Sequence, residues 1–295
     1  MIDLRDLECL LALARWRHFA RAAQDCGLSQ PAFSARIRNL EEVLGTKIVK
    51  RGNRFQQFTP EGDAIIARAR GILEDVSALQ NEVLAGRGVI SGSLVIGTIP
   101  TATAKATEAA RHLKAVHGTV RTRILTATSL AILQGLEDGR FDVGITYREG
   151  VPPDLFEIQD FYEERYVLVA PETFLDDDGA EITWAQSAAF PLTLLEPAMQ
   201  NRRVLDQIYD TVGVRPNVAF ETNGFNAAII LAKRGVAATV VPKALLDAID
   251  FQSGTATRDL VDPVVEKTIC MVTTRHGGNL PAAQALRAAI ADNMQ

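Results

Sequence analysis

The sequence predicts a mixed α/β protein in three parts: a small, mostly helical head, one long connecting helix, and a two-lobed α/β body. Three observations carry this. Residues 20–40 hold two short amphipathic helical patterns joined by Cys26-Gly27-Leu28. Residues 65–83 hold an unbroken apolar seam, and from residue 93 strand-like and helix-like segments alternate. The 295 residues leave room for about two domains with real hydrophobic cores.

In the head, Leu7, Leu10, Leu11 and Ala14 recur at three- and four-residue spacing and predict a first helix from Leu4 to Arg15. A second, Ala-rich helix runs into Gly27, which supplies the positive φ of a tight turn. A third opens with Ser29 as N-cap and Pro31 in its first turn. This is the grammar of a helix-turn-helix, whose last helix enters the DNA major groove and offers its first residues to base edges. Ser29, Gln30, Pro31 and Ser34 fall at that end, and Arg36 and Arg38 follow as phosphate partners. An ordinary helical hairpin is the competing reading. Beyond Gly45, residues 48–58 alternate around Gly52-Asn53 and read as a two-stranded wing. Arg51 and Arg54 near its tip suit phosphate contact better than base readout.

Charge supports this division. The whole chain carries −5, yet residues 1–62 hold ten basic and seven acidic side chains. A locally basic head on an acidic body fits phosphate neutralisation with counterion release.

Thr59-Pro60-Glu61 then caps and starts a long helix. Ile65, Ala69, Ile72, Val76, Leu79 and Val83 step along it by four and three, a heptad seam that predicts dimerisation with a second copy, with packing on the chain's own body as the competing reading. Gly86, Gly88 and Gly92 follow as a hinge. The expected divisions are 1–58 for the head, 59–87 for the linker helix and 88–295 for the body. The body splits into lobes of about 92–163 plus 268–295, and 164–267.

Several function classes are set aside. No apolar run approaches the ~20 residues of a membrane span, and the N-terminus lacks a secretory pattern. Cys9, Cys26 and Cys270 have no metal or disulfide spacing. A cytoplasmic protein without metal or cofactor is expected. His18, His112, His117 and His276 are isolated, and the chain has no P-loop, GxGxxG or HExxH. A non-enzyme is expected, with a two-lobed cytoplasmic solute-binding or sensor protein that does not act on DNA as the rival.

The stretch from Phe19-Ala-Arg-Ala-Ala through Leu28-Ser-Gln-Pro-Ala-Phe-Ser to Ile37-Arg-Asn-Leu-Glu, with Leu44-Gly and Thr59-Pro-Glu-Gly, resembles the LysR-type transcriptional regulators over essentially the whole chain. The resemblance implies a winged helix-turn-helix head and a two-lobed periplasmic-binding-protein-like effector domain. It implies paired linker helices, dimers assembling into tetramers, and contact with promoter DNA and RNA polymerase. It also implies a small-molecule effector, often an organic acid, that changes how the protein bends DNA. The chain departs from the family at Ala35, where an Arg usually follows Ser34. Arg36 and Arg38 are then expected to carry more of the DNA affinity.

In the resembled fold the effector lies between the lobes, against strand ends and helix N-termini that favour anions. This places Ile99, Pro100, Thr101 and Ala102 on one loop and Thr128 and Ser129 on the next, with Tyr147 below. The opposite lobe offers Gln200, Asn201 and Arg202 at one helix start and Thr222, Asn223 and Phe225 at another.

Overall fold

A computed structural model describes residues 2–51, 55–85, 90–175, 179–246, 248, 254–275, 277 and 280–292. In the head, α1 (Leu4–Trp16) opens with a reciprocal cap: Asp3 accepts from the Arg5 backbone N–H, and the Asp6 side chain accepts from that of Asp3. α2 (Phe19–Asp25) is capped by His18 and ends at Cys26. Gly27 turns the chain at φ +65° into α3 (Gln30–Leu44). Ser29 caps α3 by accepting from the Ala32 N–H at 3.4 Å. Leu10, Leu13, Ala22, Phe33, Ile37 and Leu40 close the head's core with almost no exposure.

β1 (Val49–Arg51) and β2 (Phe55–Phe58) pair antiparallel as the wing. Buried Glu41 on α3 accepts from the Ile48 and Val49 N–H groups and anchors the wing's base. α4 (Pro60–Ala85) starts where the Thr59 hydroxyl accepts from the Gly62 N–H at 2.9 Å and donates to the Lys47 carbonyl.

The body holds two sheets. Its elements in order are β3 (Gly92–Thr98), α5 (Thr103–Val116), β4 (Val120–Thr126), α6 (Ser129–Glu137), β5 (Val143–Tyr147), β6 (Phe156–Glu164) and β7 (Tyr166–Pro171). Then come β8 (Glu181–Thr183), α7 (Trp184–Ser187), β9 (Leu192–Leu195), α8 (Gln200–Val212), β10 (Val218–Thr222), α9 (Phe225–Lys233) and β11 (Ala238–Pro242). The chain continues through α10 (Lys243–Leu246), β12 (Thr255–Val261), β13 (Lys267–Thr274) and α11 (Pro281–Asp292).

The first sheet runs β4-β3-β5-β13-β6 and the second β10-β9-β11-β7-β12-β8. In each, the strands alternating with helices pair in parallel (β3 with β4 and β5; β9 with β10 and β11), and the returning strands add antiparallel. The chain passes between the sheets twice, from β6 to β7 and from β12 to β13. Leu94, Ile96, Ile132, Ile145 and Met271 are buried in the first lobe's core, and Leu168, Trp184 and Tyr209 in the second's. Trp184 meets Tyr209 edge-on at 5.4 Å.

Phe156–Glu164 forms a nine-residue strand that no local pattern announces. β6 is acidic and its burial is irregular, so it carries no period-two signal; it is held by β13, more than 100 residues away. Among the described residues no helix is long and apolar enough to cross a membrane, and no cluster of His, Cys, Asp and Glu could hold a metal ion.

Candidate functional site

Two surfaces stand out. On the head, Gln30 and Pro31 open α3 and are exposed beside the capping Ser29; Ser34 is half-buried and Arg38 exposed on the same helix. Arg36 behaves otherwise. Its Nη1 donates to Asp6 Oδ1 at 2.6 Å, with Asp3 at 4.0 Å, and Asp6 is 3% exposed. An arginine expected to meet phosphate instead ties α3 to the start of α1, because a buried carboxylate needs a charged partner. Arg54 lies outside the described residues, as does the side chain of Arg51.

The α4 seam also divides. Ala69 is buried in the head's core and Ile65 packs on it beside Ile66 and Leu73, so this end of the seam is internal packing against the chain's own body. Farther along, Ile72 and Leu79 are 40% and 63% exposed, with Val76 half-buried between them. The Val83 side chain lies outside the described residues.

In the body, a pocket opens where the two lobes face each other. It is lined by Ile99, Pro100, Thr101, Thr128, Ser129 and Tyr147 of the first lobe and Met199, Gln200 and Asn201 of the second. Its space is small, room for roughly one water. Two helix starts, those of α6 and α8, border it. Thr128 spends its hydroxyl as the α6 cap, accepting from the Ala131 N–H at 3.2 Å. Thr101 Oγ1, Ser129 Oγ and both polar atoms of the Asn201 amide are buried without a hydrogen-bond partner. Orphaned polar groups of this kind are rare in folded proteins, and each costs about 1–3 kcal/mol; four in one pocket mark a site built to meet something.

Beneath the pocket lies a cluster the sequence did not single out. Glu164, 1% exposed, ends β6 at the first crossing between lobes. Tyr147 donates to its Oε1 at 2.8 Å and Tyr162 to its Oε2 at 3.2 Å, while the Tyr147 and Tyr166 hydroxyls are 3.4 Å apart. Burial raises the Glu164 carboxyl to about 7, against the opposing pull of the Tyr147, Thr101, Tyr166 and Tyr162 hydroxyls. Thr101 approaches Glu164, and Thr101 and Asn201 approach the Tyr147 hydroxyl, closely enough to exert such a pull without completing a hydrogen bond of good geometry.

Other residues expected at the pocket are elsewhere. Ala102 is fully buried in the first lobe's core. Arg202 is 12% exposed and spent on Asp206 at 2.8 Å, Glu221 at 2.7 Å and the Leu195 carbonyl. Neighbouring Arg203 bonds Gln200 Oε1. Thr222 closes a turn on Gly224, Asn223 is exposed, and Phe225 packs in the second lobe. Position in the chain put Arg202 at a helix start, but its partner Asp206 one turn on claims it. Met199 lines the pocket; its place beside Gln200 was the available signal.

Comparison with known proteins gives these surfaces a context. Residues 4–63 match the family pattern "Bacterial regulatory helix-turn-helix protein, lysR family", and residues 87–295 match "LysR substrate binding domain". The chain is 27% identical over 282 residues to the hydrogen peroxide-inducible genes activator of Haemophilus influenzae, covering 92% of this chain and 90% of that protein. It is 27% identical over 290 residues to the regulator CbbR of Xanthobacter flavus, covering 96% and 85%. Among solved structures, full-length OxyR from Pseudomonas aeruginosa superposes with a TM-score of 0.75 at 21% identity over 98% of both chains. CbnR bound to its target DNA superposes at 0.71 and 22% identity over 99% of both. With both patterns matched in order along nearly its full length, the chain belongs to the LysR family: it is a DNA-binding transcriptional regulator with an effector-binding domain, not an enzyme.

Proposed function

We propose that this regulator reads promoter DNA with the exposed start of α3 and is switched by a small organic acid in the pocket between its lobes. The observation that carries the second half is the set of orphaned polar atoms on Thr101, Ser129 and Asn201, contributed by both lobes at one point. The space present holds about one water, so an acid enters as the lobes part slightly; a ligand that meets both lobes then favours that spacing by its differential affinity, and the spacing is what the DNA-bound assembly would sense. In this reading Gln30, Pro31 and Ser34 approach base edges, while Arg38 and the wing lie on phosphates.

Two separate self-association surfaces support a tetramer. One is the outer part of the α4 seam, at Ile72 and Leu79. The other lies on the free edges of the two sheets, where β4 with α6 exposes Leu125 and Leu130, and β10 with α9 exposes Phe220 and Ile230. Two different apolar patches per chain are what closing a dimer of dimers requires. Such an assembly would work in the cytoplasm, on promoter DNA and within reach of RNA polymerase.

One relative is named for induction by hydrogen peroxide. We infer a different trigger here. Cys9, Cys26 and Cys270 are all buried, and burial pushes the Cys270 thiol up to about 12 and the Cys9 thiol well up also. Thiols so held are poor nucleophiles, and none of the three lines the pocket.

The test is a footprint of the full-length protein on the DNA upstream of its own gene, with and without a panel of short organic acids. At least one acid should alter the footprint of the wild type. Thr101→Val should lose that response and bind DNA with wild-type affinity. A Thr101→Val protein that responds normally would refute the pocket assignment.

A further inference from the structure

We propose that the effector enters this pocket together with one proton, so that the acid and Glu164 between them carry a single negative charge less than they would apart. The inference rests on the reading of the pocket as an organic-acid site.

Three observations carry it. First, an anion here meets no cationic side chain among the described residues that line the pocket; Arg202 and Arg203, next in the chain after Asn201, are bound to Asp206, Glu221 and Gln200. Second, the wall below contains a carboxyl, that of Glu164, wrapped by three tyrosine hydroxyls and shut away from water. Two carboxylates sharing so dry a space repel strongly, and the pair settles the conflict by holding one proton between them. Third, the buried Asn201 amide completes no hydrogen bond of good geometry yet approaches the Tyr147 hydroxyl that donates to Glu164, so a ligand held at Asn201 stands one hydroxyl away from the carboxyl.

Tyr147 comes from β5, Tyr162 from β6 and Tyr166 from β7, with Thr101 approaching from the loop after β3. Lys267, opposite Glu164 on β13, turns its Nζ to Glu149 at 2.7 Å. Flanking Glu163 accepts from Thr268, and Arg165 donates to Glu266. Neither Lys267 nor Arg165 neutralises the carboxyl, so the proton comes from solvent and returns to it on release.

Placement makes the proton part of the switch. Glu164 ends the last strand of the first lobe before the crossing, while Tyr166 opens the first strand of the second. The Tyr147–Tyr166 contact therefore spans the two lobes. Opening the cleft would separate these groups and admit water to Glu164, lowering its proton affinity; closure does the reverse.

The experiment is isothermal titration of the full-length protein with acetate, and with acetamide as its neutral counterpart, between about pH 6 and pH 8.5 in two buffers of different ionisation heat. Acetate affinity should be level up to about pH 7 and then fall about tenfold per pH unit. Above about pH 7 the heat should depend on the buffer and report uptake approaching one proton, while at pH 6, where Glu164 already holds its proton, uptake should be near zero. Acetamide affinity should change little across the range. Glu164→Gln should remove the acetate slope. Tyr162→Phe, which deletes one hydrogen bond to the charged carboxylate outside the pocket lining, should move the onset of the slope to higher pH and stands in should Glu164→Gln fail to fold. Acetate binding with no pH dependence above pH 7 and no proton uptake, or an unaltered slope in Glu164→Gln, overturns the proton linkage and leaves the acid site standing. Failure of acetate and acetamide alike to bind at every pH overturns the small-acid reading itself and the linkage with it.

Discussion

Arg36 and Arg38 lie two positions apart on α3 and have different fates. Arg38 is exposed; Arg36 is pinned to a nearly buried Asp6. Nothing in the local sequence separates them, because the partner sits 30 residues earlier and only the packing of α3 on α1 brings it near. Glu164 was hidden for the same reason. In the sequence it is one acid among several on an acidic strand, and only the fold surrounds it with Tyr147, Tyr162 and Tyr166. Its buried state has a consequence for stability. The carboxyl binds its proton more tightly folded, at about 7, than unfolded, near 4.5, so the folded chain holds more protons between those values and stability falls as pH rises through them. A difference of that size corresponds to about 3 kcal/mol. Thermal unfolding followed from pH 5 to pH 8 should therefore show a clear decline in the wild type and a shallower one in Glu164→Gln. Parallel curves would mean the carboxyl is not shielded as described.

Among the elements, α4 shows most clearly how a periodic pattern can serve two purposes. Six apolar positions read as one interface in the sequence, and the fold spends Ala69 and Ile65 on the head itself. What remains for a partner is the outer stretch at Ile72, Val76 and Leu79. Leu79→Asp should thus weaken self-association by at least about 100-fold, since two subunits each lose a buried leucine worth about 1.5–3 kcal/mol, while leaving the head folded. Sedimentation velocity over a concentration series reads the change directly; an unaltered distribution would place the dimer contact elsewhere. The start of α4 also explains a residue that pattern alone could not. A Cβ on Gly62 would stand 2.3 Å from the Ile48 carbonyl oxygen, so the helix can dock on the wing's base only with glycine there. Helices and parallel strands of the body were legible because their apolar periods are local. β6, β12 and β13 were not, because antiparallel partners distant in sequence hold them in place.

For the whole molecule, the order of parts was readable from charge, seam and alternation, whereas the cleft between the lobes came only from the family resemblance. The chain crosses from one sheet to the other twice, so residues 99–101, 128–129, 147 and 199–201 converge although they span a third of the sequence. Eight of the residues expected at the effector site line the pocket, while Arg202, Thr222 and Phe225 are held in ion pairs, a turn and the core. The misplaced ones share a cause: a helix start was assumed to face the cleft, but side-chain partners on the same lobe decide where each residue points. The central claim joins both ends of the molecule, a basic helix face that grips DNA and a body that sets its geometry. Fluorescence anisotropy of the full-length protein on the DNA upstream of its own gene, across about 50 to 200 mM salt, tests it most directly. The wild type should lose affinity steeply with salt, and Arg38→Ala should bind more weakly with a log–log slope shallower by about one per head. No binding at the lowest salt, or a slope in Arg38→Ala equal to that of the wild type, would contradict the account.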